Sequence, residues 1–141
     1  MSNSYRDLVA WQVAVELVTN IYRSTESFPK QEVYGLTSQI RRAAVSVPSN
    51  VAEGQGRNSP GEFQQFLGHA KGSLMELETQ LIIARNLQYL AQLDLDALLK
   101  QSDRVSRLVN GLLQSLKRRE GAPAEKRGTR NEKPATRVAA R

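Results

Sequence analysis

The chain has 141 residues, no cysteine, a single histidine (His69) and a net charge of +6. That length suits one domain with a real core. The missing cysteines exclude a disulfide scaffold and thiolate zinc sites, and one histidine excludes multi-histidine metal chemistry within a chain. No apolar run approaches the roughly 18 residues of a membrane span, and Met1-Ser2-Asn3-Ser4-Tyr5-Arg6-Asp7 lacks the layout of a signal peptide. A soluble, cytoplasmic protein with no membrane partner is expected.

The first helix is predicted from about Asp7 to Thr25, stopping before Ser27-Phe28-Pro29. Placed at 100° per residue, its polar set Gln12, Glu16, Thr19, Asn20 and Arg23 falls in a sector about 100° wide. The remainder is apolar from Leu8 to Tyr22, more than one bundle core needs. Such an excess normally marks an association surface. Trp11, Val15, Val18 and Tyr22 are therefore the candidate interface of an obligate homo-oligomer, closed into a ring so that no open ends remain.

The second helix is predicted over roughly Glu32 to Gln55, ending at Gly54-Gln55-Gly56. Pro48 lies inside it. The proline ring removes a donor and collides with the carbonyl of Ala44, so a kink or break is expected, with Ser46, Ser49 and Asn50 as the nearest polar partners. The third helix has the clearest start. Ser59 is the N-cap, Pro60 the first helical residue, and Glu62 completes a capping box. Its core seam reads Phe63, Leu67, Ala70, Leu74, Leu77, Leu81 and Ala84, and it runs to about Leu90. Gly68 and Gly72 each cost roughly 1 kcal/mol against alanine, so Gly72 is expected at a tight helix contact. Gln64, Lys71, Glu78 and Arg85 form a polar stripe beside the seam, a possible counterpart for a neighbouring subunit.

The fourth helix is predicted from near Asp94 to near Arg118, with the seam Leu95, Leu98, Ser102, Val105, Val109, Leu112 and Leu116. No stretch alternates as strands do. The fold class is all-α, an antiparallel up-and-down four-helix bundle over residues 1–118 with helix two kinked at Pro48. Residues 119–141 hold seven Lys/Arg against three Asp/Glu and almost nothing apolar beyond alanine. They are expected to form a disordered basic tail, serving solubility or holding an anionic polymer loosely.

Enzyme chemistry finds little support in these residues. Gly54-Gln55-Gly56-Arg57 lacks the spacing and lysine of a phosphate-binding loop. His69 has Phe66 and Gly72 at its i±3 positions, so no Glu-x-x-His metal pair exists, and there is no nucleophile elbow. No catalytic residue, metal or cofactor is assigned. Two binding readings stay open. Lys100, Arg104, Arg107 and Arg118 share one face of helix four, with Lys117 beside them, and such a stripe can contact successive phosphates of RNA or DNA. Basic residues late in a helix also suit its dipole. Alternatively, Arg41, Arg42, Asn50, Glu53, Glu76 and Glu78 form either a structural polar cluster or a pocket for a small anion.

Tyr34 to Gly54, containing Gln39-Ile40-Arg41-Arg42-Ala43-Ala44-Val45-Ser46-Val47-Pro48-Ser49-Asn50-Val51-Ala52-Glu53-Gly54, closely resembles one family. Phe63-Gln64-Gln65-Phe66-Leu67, Gly72-Ser73-Leu74, Glu76-Leu77-Glu78-Thr79-Gln80-Leu81 and the opening Tyr5-Arg6-Asp7-Leu8 with Trp11 support the match. The family is the four-helix-bundle proteins encoded in intervening sequences of bacterial 23S rRNA genes. The resemblance covers about residues 5–118. It implies a cytosolic homopentamer with no assigned enzymatic activity and no settled role. Related proteins accompany diversity-generating retroelements, where they bind the reverse transcriptase and nucleic acid. RNA, DNA or a nucleic-acid enzyme are the implied partners.

Overall fold

The computed structural model describes residues 4–120. It contains four helices: α1, Val9–Thr25; α2, Leu36–Gln55; α3, Pro60–Asn86; and α4, Gln92–Glu120. The expected tail therefore lies outside the described residues, apart from the two that extend α4. Each helix packs against the next, and α1 closes on α4. Ser46 meets Ser73 at 2.8 Å while Gly54 lies against Phe66, so α2 and α3 run antiparallel. Glu78 to Ser102 and Arg85 to Gln92 fix α3 and α4 the same way.

The core forms because the apolar seams converge. Ala10, Val13, Ala14, Leu17 and Ile21 of α1 meet Ile40, Ala43, Ala44, Val47 and Val51 of α2. The predicted seam of α3 is buried from Leu67 to Ala84, and Leu95, Leu98, Val105, Val109 and Leu116 complete the interior from α4. Each large aliphatic side chain buried this way contributes about 1.5–3 kcal/mol. Ser102, which falls on the α4 seam, is fully buried and donates its hydroxyl to the Glu78 carboxylate at 2.6 Å. A polar group in the core is thereby satisfied by a charged acceptor, which strengthens the bond.

Helix starts follow local chemistry. Ser59 Oγ accepts from the Glu62 amide at 3.1 Å, and Pro60 is the first residue of α3, as the sequence predicts. The start of α2 differs from the expectation. Lys30–Glu32 forms a short 3-10 turn, and the α-helix begins four residues later than Glu32. Glu32 instead caps it from outside: one carboxylate oxygen accepts from the Leu36 amide at 3.0 Å and the other from the Tyr89 hydroxyl at 2.9 Å. These two bonds, the amide first, hold the Glu32 carboxyl below its ordinary range. The same carboxylate raises the Tyr89 phenol. One side chain thus ties the α1–α2 connection to the α3–α4 turn. That turn closes with Gln88 at φ 68°, while the Tyr89 amide donates to the Ala84 carbonyl at 2.9 Å, the reach-back typical of a left-handed helix stop.

One expectation about helix interiors, that for Gly72, needs correcting, and of the kink or break expected at Pro48 the break does not occur. Pro48 is buried and α2 continues through it as one helix, so the proline does not break the chain there. Its polar neighbours serve another contact. Asn50 donates to the carbonyl and hydroxyl of Ser46 at 2.8 and 2.9 Å, and the Ser46 hydroxyl pairs with Ser73 on α3. Gly72 is not at a tight contact. A Cβ built on Gly72 or Gly68 meets nothing within 4 Å, because both point away from the bundle. The close approach is at Gly54, where a Cβ would lie 2.7 Å from Phe66 Cβ and 2.9 Å from Phe63 Cδ1.

Candidate nucleic-acid interface

The heptad spacing that buries Leu98, Val105 and Val109 turns Lys100, Arg104 and Arg107 to the solvent side of α4. Opposite them, α1 presents Asn20, Arg23 and Ser24. The structure brings the two sets together as walls of one groove of about 450 Å³ between α1 and α4, with Asp94 at its acidic edge. Arg23 belongs to this site and sequence reasoning missed it. Its place in the polar sector of α1 was legible, but only the packing of α1 on α4 shows what it faces.

Beyond the groove the face stays open. Gly111, Gln114 and Arg118 are exposed, and Lys117, Arg118 and Arg119 form the last described basic turn. From Lys100 to Arg118 the axis advances about 27 Å, enough to span several phosphates. Residues 97–119 contain six basic side chains against the single acid Asp103. Asp103 pairs with Arg107 at 3.4 Å, but both side chains are mostly exposed, so this contact holds little and leaves the arginine available. The site is a surface of basic side chains with the side-chain amides of Asn20 and Gln101 interspersed.

The six residues of the alternative cluster are not brought together. Arg41 lies on the α1 side of α2, where its Nε donates to Thr25 Oγ1 at 2.9 Å and its guanidinium stacks on the Tyr22 ring at 4.5 Å. Arg42 is exposed beside it. Asn50 faces α3, Glu53 pairs with Arg57 at 3.7 Å, Glu76 accepts from Gln80 at 3.4 Å, and Glu78 is held by Ser102. His69 is exposed, edge-on to Phe66. Among the described residues no three His, Asp or Glu side chains converge as metal ligands, and no helix is long and apolar enough to cross a membrane.

Of the candidate association face, Trp11, Val15 and Val18 are half-buried, with Trp11 edge-on to Tyr5, and Tyr22 is 41% exposed. Part of the apolar excess on α1 is therefore absorbed within the chain, since α1 is flanked by two helices and by the Tyr5–Asp7 turn. The polar stripe on α3 is also engaged internally: Glu78 and Arg85 bond across to Ser102 and Gln92. The open face of α3 instead carries Gly68, Gly72, Met75, Thr79 and Ile82.

Fold and surface together define an all-α four-helix bundle with a groove lined by basic side chains between α1 and α4. The sequence matches the family described as 23S rRNA-intervening sequence protein over residues 6–111. The chain belongs to that family. It is also similar to the crystal structure of a protein of unknown function from the S23 ribosomal protein family of Bacteroides thetaiotaomicron. The TM-score is 0.67 at 19% identity, covering 74% of this chain and 98% of that one. No match was found among curated proteins.

Proposed function

We propose that the protein is a non-enzymatic, cytoplasmic nucleic-acid-binding or adaptor protein that acts as a homo-oligomer. The observation that carries this reading is the α1–α4 groove, where Arg23, Lys100, Arg104 and Arg107 line one surface that continues into Lys117, Arg118 and Arg119. No aromatic side chain lines the groove, so the contact is to phosphates and not to bases. Binding is then blind to sequence and steeply dependent on salt. Four neutralised phosphates give about a hundredfold loss between roughly 50 and 200 mM salt. A nucleic-acid enzyme bringing its own substrate to this surface is the adaptor form of the same reading.

The assembly is a ring with the α1 face of Trp11, Val15, Val18 and Tyr22 at the subunit contact and α2 bent at Pro48. Five subunits follow from the family resemblance alone. Fluorescence anisotropy with labelled RNA and DNA of unrelated sequences tests the binding, and light scattering at low micromolar concentration tests the assembly. Charge removal at Lys100, Arg104 and Arg107 with deletion of residues 119–141 weakens binding and flattens its salt dependence. Unchanged binding would move the surface elsewhere. A folded monomer of about 16 kDa, the mass of one chain, would remove the ring.

A further inference from the structure

A second groove, of about 590 Å³, lies between the end of α1 and the first half of α2, within the size range of small-molecule sites. Its two arginines, like most cations among the described residues, have no carboxylate partner; what sets Arg41 apart is how it is held. Arg57 and Arg107 each have a carboxylate partner. Arg41 is half-buried and fixed in place, yet every partner it has is neutral: Thr25 Oγ1 at 2.9 Å, the Tyr22 carbonyl at 3.4 Å and the Tyr22 ring. Those contacts orient the guanidinium without compensating its charge, and they leave three of its five N–H donors free. Arg42, one residue on, lines the same groove and makes no bond to the protein.

No acid lines this groove. Thr37, which does, is only 6% exposed, and its hydroxyl oxygen is buried beneath the groove surface. Ser38 supplies a hydroxyl, and Val33, Val45 and Tyr22 an apolar flank. A guanidinium held rigid by neutral groups, a second one beside it and the Ser38 hydroxyl match an oxyanion with several acceptor oxygens. The three terminal oxygens of a phosphate use these donors more completely than the two of a carboxylate. The apolar flank accommodates the organic body that carries it.

We propose that the α1–α2 groove binds the phosphate group of a small phosphomonoester, held by Arg41 and Arg42. This inference is independent of the nucleic-acid reading. Tyr22 borders both the groove and the proposed association face, so the measurement is made on the full-length protein as it assembles. The probes are phenyl phosphate, inorganic phosphate and benzoate, titrated calorimetrically. Phenyl phosphate is expected to bind more tightly than inorganic phosphate, which lacks the apolar body, and more tightly than benzoate, which lacks the third oxygen. Arg42→Gln breaks no bond of the fold and should weaken phenyl phosphate by about tenfold or more. Arg41→Lys keeps the charge but loses the planar fork, and should weaken it as well. Lys100→Gln with Arg104→Gln should leave it unchanged while reducing polynucleotide affinity, so the two readings fail separately. Absence of phenyl phosphate binding, or binding that survives both arginine substitutions, would overturn the proposal.

Discussion

Gly54→Ala places a methyl group where the structure has no room. The added Cβ falls 2.7 Å from Phe66 Cβ and 2.9 Å from Phe63 Cδ1. The Phe63 ring can swing aside, but Phe66 Cβ is fixed to the α3 backbone. Relief therefore requires α2 and α3 to separate along the contact that also carries the Ser46–Ser73 bond. Overpacking of this kind costs about 1–3 kcal/mol. Helix propensity pulls the other way by up to roughly 1 kcal/mol, less near a helix end, so the clash wins. For a domain of this size 1 kcal/mol moves Tm by about 4 °C, and a fall of roughly 3–10 °C is expected. The control is Gly72→Ala, at a position where a Cβ meets nothing within 4 Å. It should raise Tm, by up to about 1 kcal/mol of stability. Thermal unfolding of both variants at one protein concentration decides the matter. If Gly54→Ala is as stable as the parent, or Gly72→Ala is the worse of the two, the assignment of the tight contact is wrong.

Three further outcomes follow from the same geometry. Gln88→Gly should stabilise the α3–α4 turn by up to about 1 kcal/mol, because Gln88 sits at φ 68°, a region costly for any residue with a Cβ; a less stable variant would show that the Gln88 side chain supports the turn. The Glu32 carboxyl is lowered in the fold from 4.5. Its contribution to stability is therefore present above that value and lost as pH falls through the folded value, so acid titration of Glu32→Gln should show a shallower loss below about pH 4.5 than the parent. The Tyr89 phenol is raised from 10.0, so its contribution is complete below that pH and lost as pH rises through the folded value; Tyr89→Phe should remove this alkaline component, and an unaltered alkaline limb would place it in another group.

Much of the fold was legible because helical seams are local. The alternation through Leu67, Leu74 and Leu81 of α3 and Val105 and Val109 of α4 is written at spacings of three and four, and all these residues are buried. The Ser59-Pro60 start was readable for the same reason. Features made by two helices were not. A glycine in a helix is equally consistent with close approach and with open space, so only the meeting of α2 with α3 shows that Gly54, and not Gly72, is the close contact. The apolar breadth of α1 overstated what remains for a partner, since two neighbouring helices and the Tyr5–Trp11 edge contact cover part of it. The basic stripe on α4 was visible in sequence, but Arg23 lies 77 positions before Lys100 and joins it only through packing. The Arg/Glu set dispersed because its members sit on different faces of α2 and α3.

The central claim is that the α1–α4 groove holds a phosphate backbone. Its most direct test is the salt dependence of RNA or DNA affinity for the full-length chain and for the variant Arg23→Gln, Lys100→Gln, Arg104→Gln, Arg107→Gln. These side chains lie on the surface of the groove, so the variant should fold normally by circular dichroism. Each phosphate left without its cation reduces the slope of log affinity against log salt by about 0.9 for duplex DNA and about 0.7 for single strands. Removal of all four cations should flatten the slope by roughly 3 or more, equally for unrelated sequences. A folded variant that keeps the parent's affinity and slope would contradict the account.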